Sequence, residues 1–179
     1  MYLMAKFVFP FLVLMLLMEK ITSLVEFTNL KCDTVNKDIA EFEYCTLKSI
    51  NRTYKYATAK IKLHQIPITR AKVNFGLYKR LNGYKPFLYN QTINACTFFK
   101  NQRASPVAKY FYDIIKGVSN LNHSCPYNHD IIIDKLSTEI INYHSTQVLA
   151  YPEGNYMLES HWILNDNPAI IVQVYLSLS

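Results

Sequence analysis

The chain has 179 residues, half of them hydrophobic, and 19 Lys or Arg against 13 Asp or Glu give it a formal charge of +6. That length allows one domain with a real core, and no linker, low-complexity tract or internal repeat divides it. The charge is uneven: 16 Lys or Arg and 6 Asp or Glu fall within residues 24–116, whereas Lys135 alone faces six acids after that.

Lys6 followed by the apolar run Phe7–Met18 is the pattern of a secretory signal peptide, and the run is shorter than the ~20 residues a spanning helix needs. Cleavage is expected near Ser23, leaving residues 24–179 as a single soluble domain without a transmembrane segment. In a secreted chain the basic first part reads as solvated strand faces, with an acidic partner or an anionic head group as the alternative; nucleic acid is not expected.

Val25, Phe27 and Leu30 lead a short first strand into Cys32. Residues 39–48 alternate, with Phe42, Tyr44 and Thr46 on one face and Glu41, Glu43 and Cys45 on the other. A third strand runs from about Tyr54 to Ile66 and sets Ile61 and Leu63 against Lys60, Lys62 and His64, until Pro67 ends it. Ala71, Val73, Phe75 and Leu77 then point opposite to Lys72, Asn74 and Tyr78. Asn82-Gly83 is a hairpin signal because both residues tolerate positive φ, and the return strand is predicted from about Phe87 to Ala95.

One helix is predicted over residues 106–117: Ser105 is placed to cap it, Pro106 takes the first position, and Gly117 suits a left-handed end. Val107, Tyr110, Phe111, Ile114 and Ile115 form its apolar stripe. The run from His129 to Tyr143 has strand composition, with a bend expected near Lys135. After the turn Tyr151-Pro-Glu-Gly154, Tyr156, Leu158, Ser160 and Trp162 share one side of a strand. Asn165-Asp-Asn-Pro168 turns again, and Ile170, Val172, Val174 and Leu176 point inward on the last strand, with Gln173 and Ser177 outward. Eight strands at this spacing point to an all-β antiparallel sandwich.

All four cysteines lie after the signal peptide, an even number that favours two disulfides over metal or redox chemistry. Of three possible pairings, Cys32 with Cys45 and Cys96 with Cys125 are favoured, the second stapling the helix by its two flanks. The sequons at Asn51, Asn90 and Asn122 mark predicted glycosylation sites on the surface.

Lys79-Arg-Leu-Asn-Gly-Tyr-Lys-Pro-Phe-Leu-Tyr-Asn-Gln-Thr92, Cys96-Thr-Phe-Phe, Asn120-Leu-Asn-His-Ser-Cys-Pro-Tyr127 and Tyr151-Pro-Glu-Gly-Asn-Tyr156 carry a resemblance. Together they resemble a large family of small secreted insect proteins, known mainly as a domain of unknown function and grouped with the ML (lipid-recognition) domains. The resemblance implies an immunoglobulin-like sandwich whose sheets splay apart around an apolar ligand; some relatives are implicated in chemosensation and pheromone response. It assigns no binding residues.

Inward residues Val73, Phe75, Leu77, Leu158, Trp162, Val172 and Val174, capped by Phe111 and Ile115, are therefore the candidate pocket for a lipid or pheromone-like hydrocarbon. The plain alternative is a dry core, with the protein serving as an extracellular interaction module for a receptor. His123, Cys125 and His129 match no standard zinc spacing, so no metal is expected. No Gly-x-Ser-x-Gly elbow, paired carboxylates or Cys-His arrangement is signalled, so neither catalytic residues nor a cofactor are predicted. His161 reads as an outward strand residue.

Overall fold

The alternating stretches of the sequence pair into two sheets. The computed structural model of the chain describes residues 24–51, 54–148 and 151–179, so the predicted signal peptide lies outside the described residues, as do Arg52 and Thr53 of the first sequon. Strands β1 (Val25–Thr34), β8 (Asn167–Leu178), β7 (Gly154–Leu164), β4 (Ala71–Leu81) and β5 (Gly83–Asn94) lie side by side in that order as one sheet. β2 (Ala40–Ser49), β3 (Lys55–Leu63) and β6 (Ile131–Ser137) form the second, again in that order. All pairings are antiparallel, and the fold is an all-β sandwich.

Bulges set which residues face in. In β1 the register shifts between Phe27 and Asn29, which is why Phe27 and Leu30, three apart, point the same way. In β2 the shift falls between Phe42 and Tyr44. It corrects the predicted faces: Phe42, Cys45 and Leu47 turn toward the core, while Tyr44 and Thr46 are exposed. The bend expected near Lys135 is present, with Lys135 at φ 51° opposite a register shift between Ala57 and Ala59.

Three strands cannot cover five. The inner face of β4 and β5 is covered instead by the segment between β5 and β6, which carries α1 (Ala95–Lys100), a 3-10 turn (Gln102–Ala104) and α2 (Pro106–Ile115). Phe98, Ala108 and Tyr112 of this segment are buried together with Val73 and Phe75. A disulfide joins Cys96 of α1 to Cys125, with Cα atoms 5.1 Å apart, and the other joins Cys32 to Cys45 across the edge strands β1 and β2 of the two sheets. The Ile66–Pro67 and Cys125–Pro126 peptides are both cis, and the two loops meet in a bridge between Ile68 and Tyr127 with N–H···O distances of 2.9 and 3.0 Å.

Several local readings are corrected. The described residues hold three α-helices, not one: Asn94 caps α1 by accepting from Thr97 N at 3.0 Å, and α3 (Thr138–Val148) takes over the run read as strand to Tyr143. Tertiary contact decides α3, because the Asn142 amide clasps the backbone of Val25, accepting from its N at 2.6 Å and donating to its O at 3.1 Å. α2 stops at Ile115, with Lys116 still right-handed, so Gly117 is not needed for a left-handed end, and the Ser105 side chain makes no capping bond. At the β4–β5 hairpin only Gly83 is left-handed (φ 87°) and strand pairing resumes at once, four residues before Phe87. The turn with two consecutive positive φ angles is the β7–β8 turn, at Asn165 (46°) and Asp166 (66°).

The charge asymmetry along the chain is partly evened in space. Lys60 pairs with Asp130 at 3.5 Å, and Arg70 and Lys72 reach Asp166 at 2.8 and 3.7 Å, each joining the basic first part to the acidic last part.

Candidate functional site

The inward residues of the larger sheet line up in rows across four strands. Leu77, Leu158, Val174 and Leu30 make one row; Phe75, Ser160, Val172 and Cys32 make the next; Val73, Trp162 and Ile170 make a third. Opposite them β3 offers Ala57 and Ala59, and Ser160 is the shortest residue of the middle row. Inner faces about 10 Å apart need long side chains from both sides to fill the space. Short residues on both sheets leave part of it open.

The result is a cavity of about 320 Å³ between the sheets. Native interiors hold few voids larger than a water, which occupies about 30 Å³ in the liquid, and ligand pockets begin near 300 Å³. Val73, Phe75, Leu77, Phe111, Ile115, Leu158, Trp162, Val172 and Val174 all border it. So do residues the sequence reading did not single out, among them Ala57, Ala59, Phe98, Tyr127 and Tyr151. Among the described residues, no Lys, Arg, His, Asp or Glu is in its lining. α2 closes one side, its Phe111 ring packed edge-on against Phe75 at 5.6 Å, and Ile115 touches both of the buried clusters between which the cavity lies.

Two groups of aromatics border the cavity. In the first, Phe98, Phe99, Tyr112 and Tyr127 pack edge to face beside the Cys96–Cys125 disulfide. The Tyr127 hydroxyl donates to the His123 carbonyl. Burial pushes the Tyr127 phenol up to about 12, with Tyr112 adding to the shift and the His123 bond opposing it.

The second group is Tyr110, Tyr151 and Tyr156, with Tyr89 packed behind them against Phe111. Tyr89 sits where β5 bulges against β4, at φ 55°, a conformation uncommon for a bulky residue. Gly76 makes room for it, since a Cβ there would lie 3.3 Å from the Tyr89 carbonyl oxygen and 3.1 Å from the Tyr78 ring. The Tyr89 ring turns toward Phe111, 6.2 Å away. Tyr156 donates its hydroxyl to the Pro152 carbonyl. Tyr151 is different: its hydroxyl is buried and has no hydrogen-bond partner among the described residues. Tyr89 comes close enough to hold the proton on that hydroxyl both by charge and by an incipient side-chain hydrogen bond, without reaching full hydrogen-bond geometry. Burial first, and then the Tyr89 and Tyr110 phenols, hold Tyr151 firmly in its neutral form.

The remaining candidates lie outside the cavity. His123 and His129 meet Nε2 to Nε2 at 3.0 Å on the surface, with Cys125 committed to its disulfide. His161 bonds Glu159 at 2.9 Å; burial raises that carboxyl, but the His161 and Gln173 bonds outweigh it and hold it below its ordinary range. Asn51, Asn90 and Asn122 are all exposed. Asn90 and Thr92 of one sequon both bond the Asn74 amide, at 3.2 and 2.9 Å.

Residues 73–158 match the model of a family described as a protein of unknown function (DUF1091). The match runs from β4 into β7 and takes in the helical segment and the second disulfide, and it brings no activity with it. No curated protein matches the chain. The two disulfides fit an oxidising compartment, and no helix among the described residues is long and apolar enough to cross a membrane.

Proposed function

We propose that this protein is a secreted, glycosylated carrier of the ML lipid-recognition type that encloses a hydrophobic small molecule between its sheets, and that it acts by binding and presenting, not by catalysis. The observation that carries the reading is the cavity itself: about 320 Å³ with no charged group in its lining. A hydrocarbon chain entering it leaves water at about 0.8 kcal/mol per CH₂. Some ten such groups fit at about 30 Å³ each, a gross gain of about 8 kcal/mol set against an association cost of at least about 4 kcal/mol. A lipid or pheromone-like molecule delivered to an extracellular receptor suits this balance, and the family resemblance of the sequence points the same way.

The test is to secrete the protein from insect cells, purify it gently, extract it with organic solvent and identify what is released by mass spectrometry. A near-stoichiometric lipid is expected, lost in Ala59→Leu, which fills the cavity from β3, while the variant melts at or above the wild-type temperature. A clean extract, repeated after incubation with a broad lipid mixture, would overturn the carrier in favour of an extracellular interaction module.

A further inference from the structure

A carrier for bare hydrocarbon has no use for a hydrogen-bond donor in its wall. This cavity has one. Tyr151 borders the cavity, and its hydroxyl is buried without a hydrogen-bond partner among the described residues, whereas the hydroxyls of two other cavity tyrosines are committed: Tyr127 to the His123 carbonyl and Tyr156 to the Pro152 carbonyl. Buried polar groups in native proteins are nearly always satisfied, and an exception calls for an explanation such as a partner supplied from outside the chain. The local backbone is also strained: a left-handed Tyr89 in a bulge, over a glycine that leaves it room, stands against Phe111 beside this phenol. Strained conformations of this kind cluster at ligand clamps.

We propose that Tyr151 is the polar anchor of the cavity, donating its proton to the oxygen of an uncharged, oxygen-bearing lipid: a long-chain alcohol, aldehyde or ester. This rests on the carrier reading and narrows its ligand class. The hydrocarbon part lies along Leu77, Leu158 and Val174, which share a buried cluster with Tyr151. The head group is neutral because the lining holds no Lys, Arg or His, so a carboxylate brought to Tyr151 would be desolvated without a counter-charge. The phenol is a dependable donor there, since its surroundings keep it protonated.

Trp162 is the chain's single tryptophan and borders the cavity, so its fluorescence reports occupancy. Delipidated protein is titrated with 1-decanol, decane and decanoate at pH 8, in wild type and Tyr151→Phe. Decanol is expected to bind roughly tenfold more tightly than decane or decanoate, a ratio of the size expected for one hydrogen bond made in place of one left unmade. Tyr151→Phe should lose that tenfold advantage and leave decane unchanged. The unliganded variant should melt no lower than wild type, because it removes a hydroxyl that nothing satisfies. Equal binding of decanol by both proteins, decanoate binding as tightly as decanol, or a clear fall in the variant's melting temperature would each overturn the anchor and leave the carrier standing. No response to any probe would overturn both.

Discussion

The two aromatic groups flanking the cavity are made of the same residue types and do different work. Around Tyr127 the rings interlock, the hydroxyl is bonded, and a disulfide ties the segment down. Around Tyr151 the backbone of Tyr89 is strained, and a buried donor has no hydrogen-bond partner among the described residues. The first is a closed structure in which the buried Tyr127 hydroxyl is matched, as stability requires. The second forgoes stability at one atom, which is what a binding site does when its last partner comes from outside. Burial of a tyrosine therefore says little about its role until its hydroxyl is traced.

The largest effect that tests this contrast comes from removing the staple. Cys96→Ser with Cys125→Ser should lower unfolding stability by about 3 to 4 kcal/mol, the chain-entropy value for a loop of this length; a denaturant titration of purified protein measures it. A loss well under 1 kcal/mol would mean the aromatic packing alone holds the segment.

Alkaline titration probes the same end. Tyr127 is held at about 12 when folded against about 10 when unfolded, so its stabilising contribution is complete below pH 10 and lost as the pH rises toward 12. Thermal melts between pH 8 and 11.5 should fall over that window, and less steeply in Tyr127→Phe. Identical slopes would show that the phenol is not protected by its fold.

At neutral pH the two tyrosines should separate in sign. Tyr127→Phe is expected to cost about 1 kcal/mol, the net value of a hydrogen bond, while Tyr151→Phe should cost nothing or stabilise slightly. Equal losses in the two would collapse the distinction between the groups. An effect on stability no larger than that of Tyr127→Phe is expected of Gly76→Ala, whose Cβ would press on the Tyr89 carbonyl and the Tyr78 ring. About 1 kcal/mol of stability should go with the small shift of the β5 bulge, the lower end of what overpacking costs, and decanol affinity should fall by a few fold. An unchanged Trp162 titration would separate the bulge from the site.

Much of the scaffold was legible because strand alternation is a local, repetitive signal. Each inward residue of β4, β7 and β8 announces its face by its neighbours, and all seven residues chosen on that basis border the cavity, as do Phe111 and Ile115 from the helical stripe. The pairing of the cysteines followed a preference for bonds between neighbouring stretches. The helices were less legible. Asn94 three residues before Thr97 was a capping signal passed over, whereas Ile140, Ile141 and Tyr143 carry strand propensity that packing overrides once Asn142 grips the Val25 backbone.

By itself, then, the sequence determined the alternation of faces, the all-β class and the supply of apolar side chains, since each follows from residues within a few positions of one another. Whether those side chains meet or leave a space was decided only by tertiary structure. Ala57 and Ala59 of β3 border the same cavity as Ser160 of β7, a separation of about a hundred residues in the chain, and nothing local says that short residues will gather around one space. Tyr151 is the same case in one atom. A tyrosine in a Tyr-Pro-Glu-Gly turn reads as surface, and its hydroxyl becomes a buried, unpartnered donor only because α2, β5 and β7 close around it.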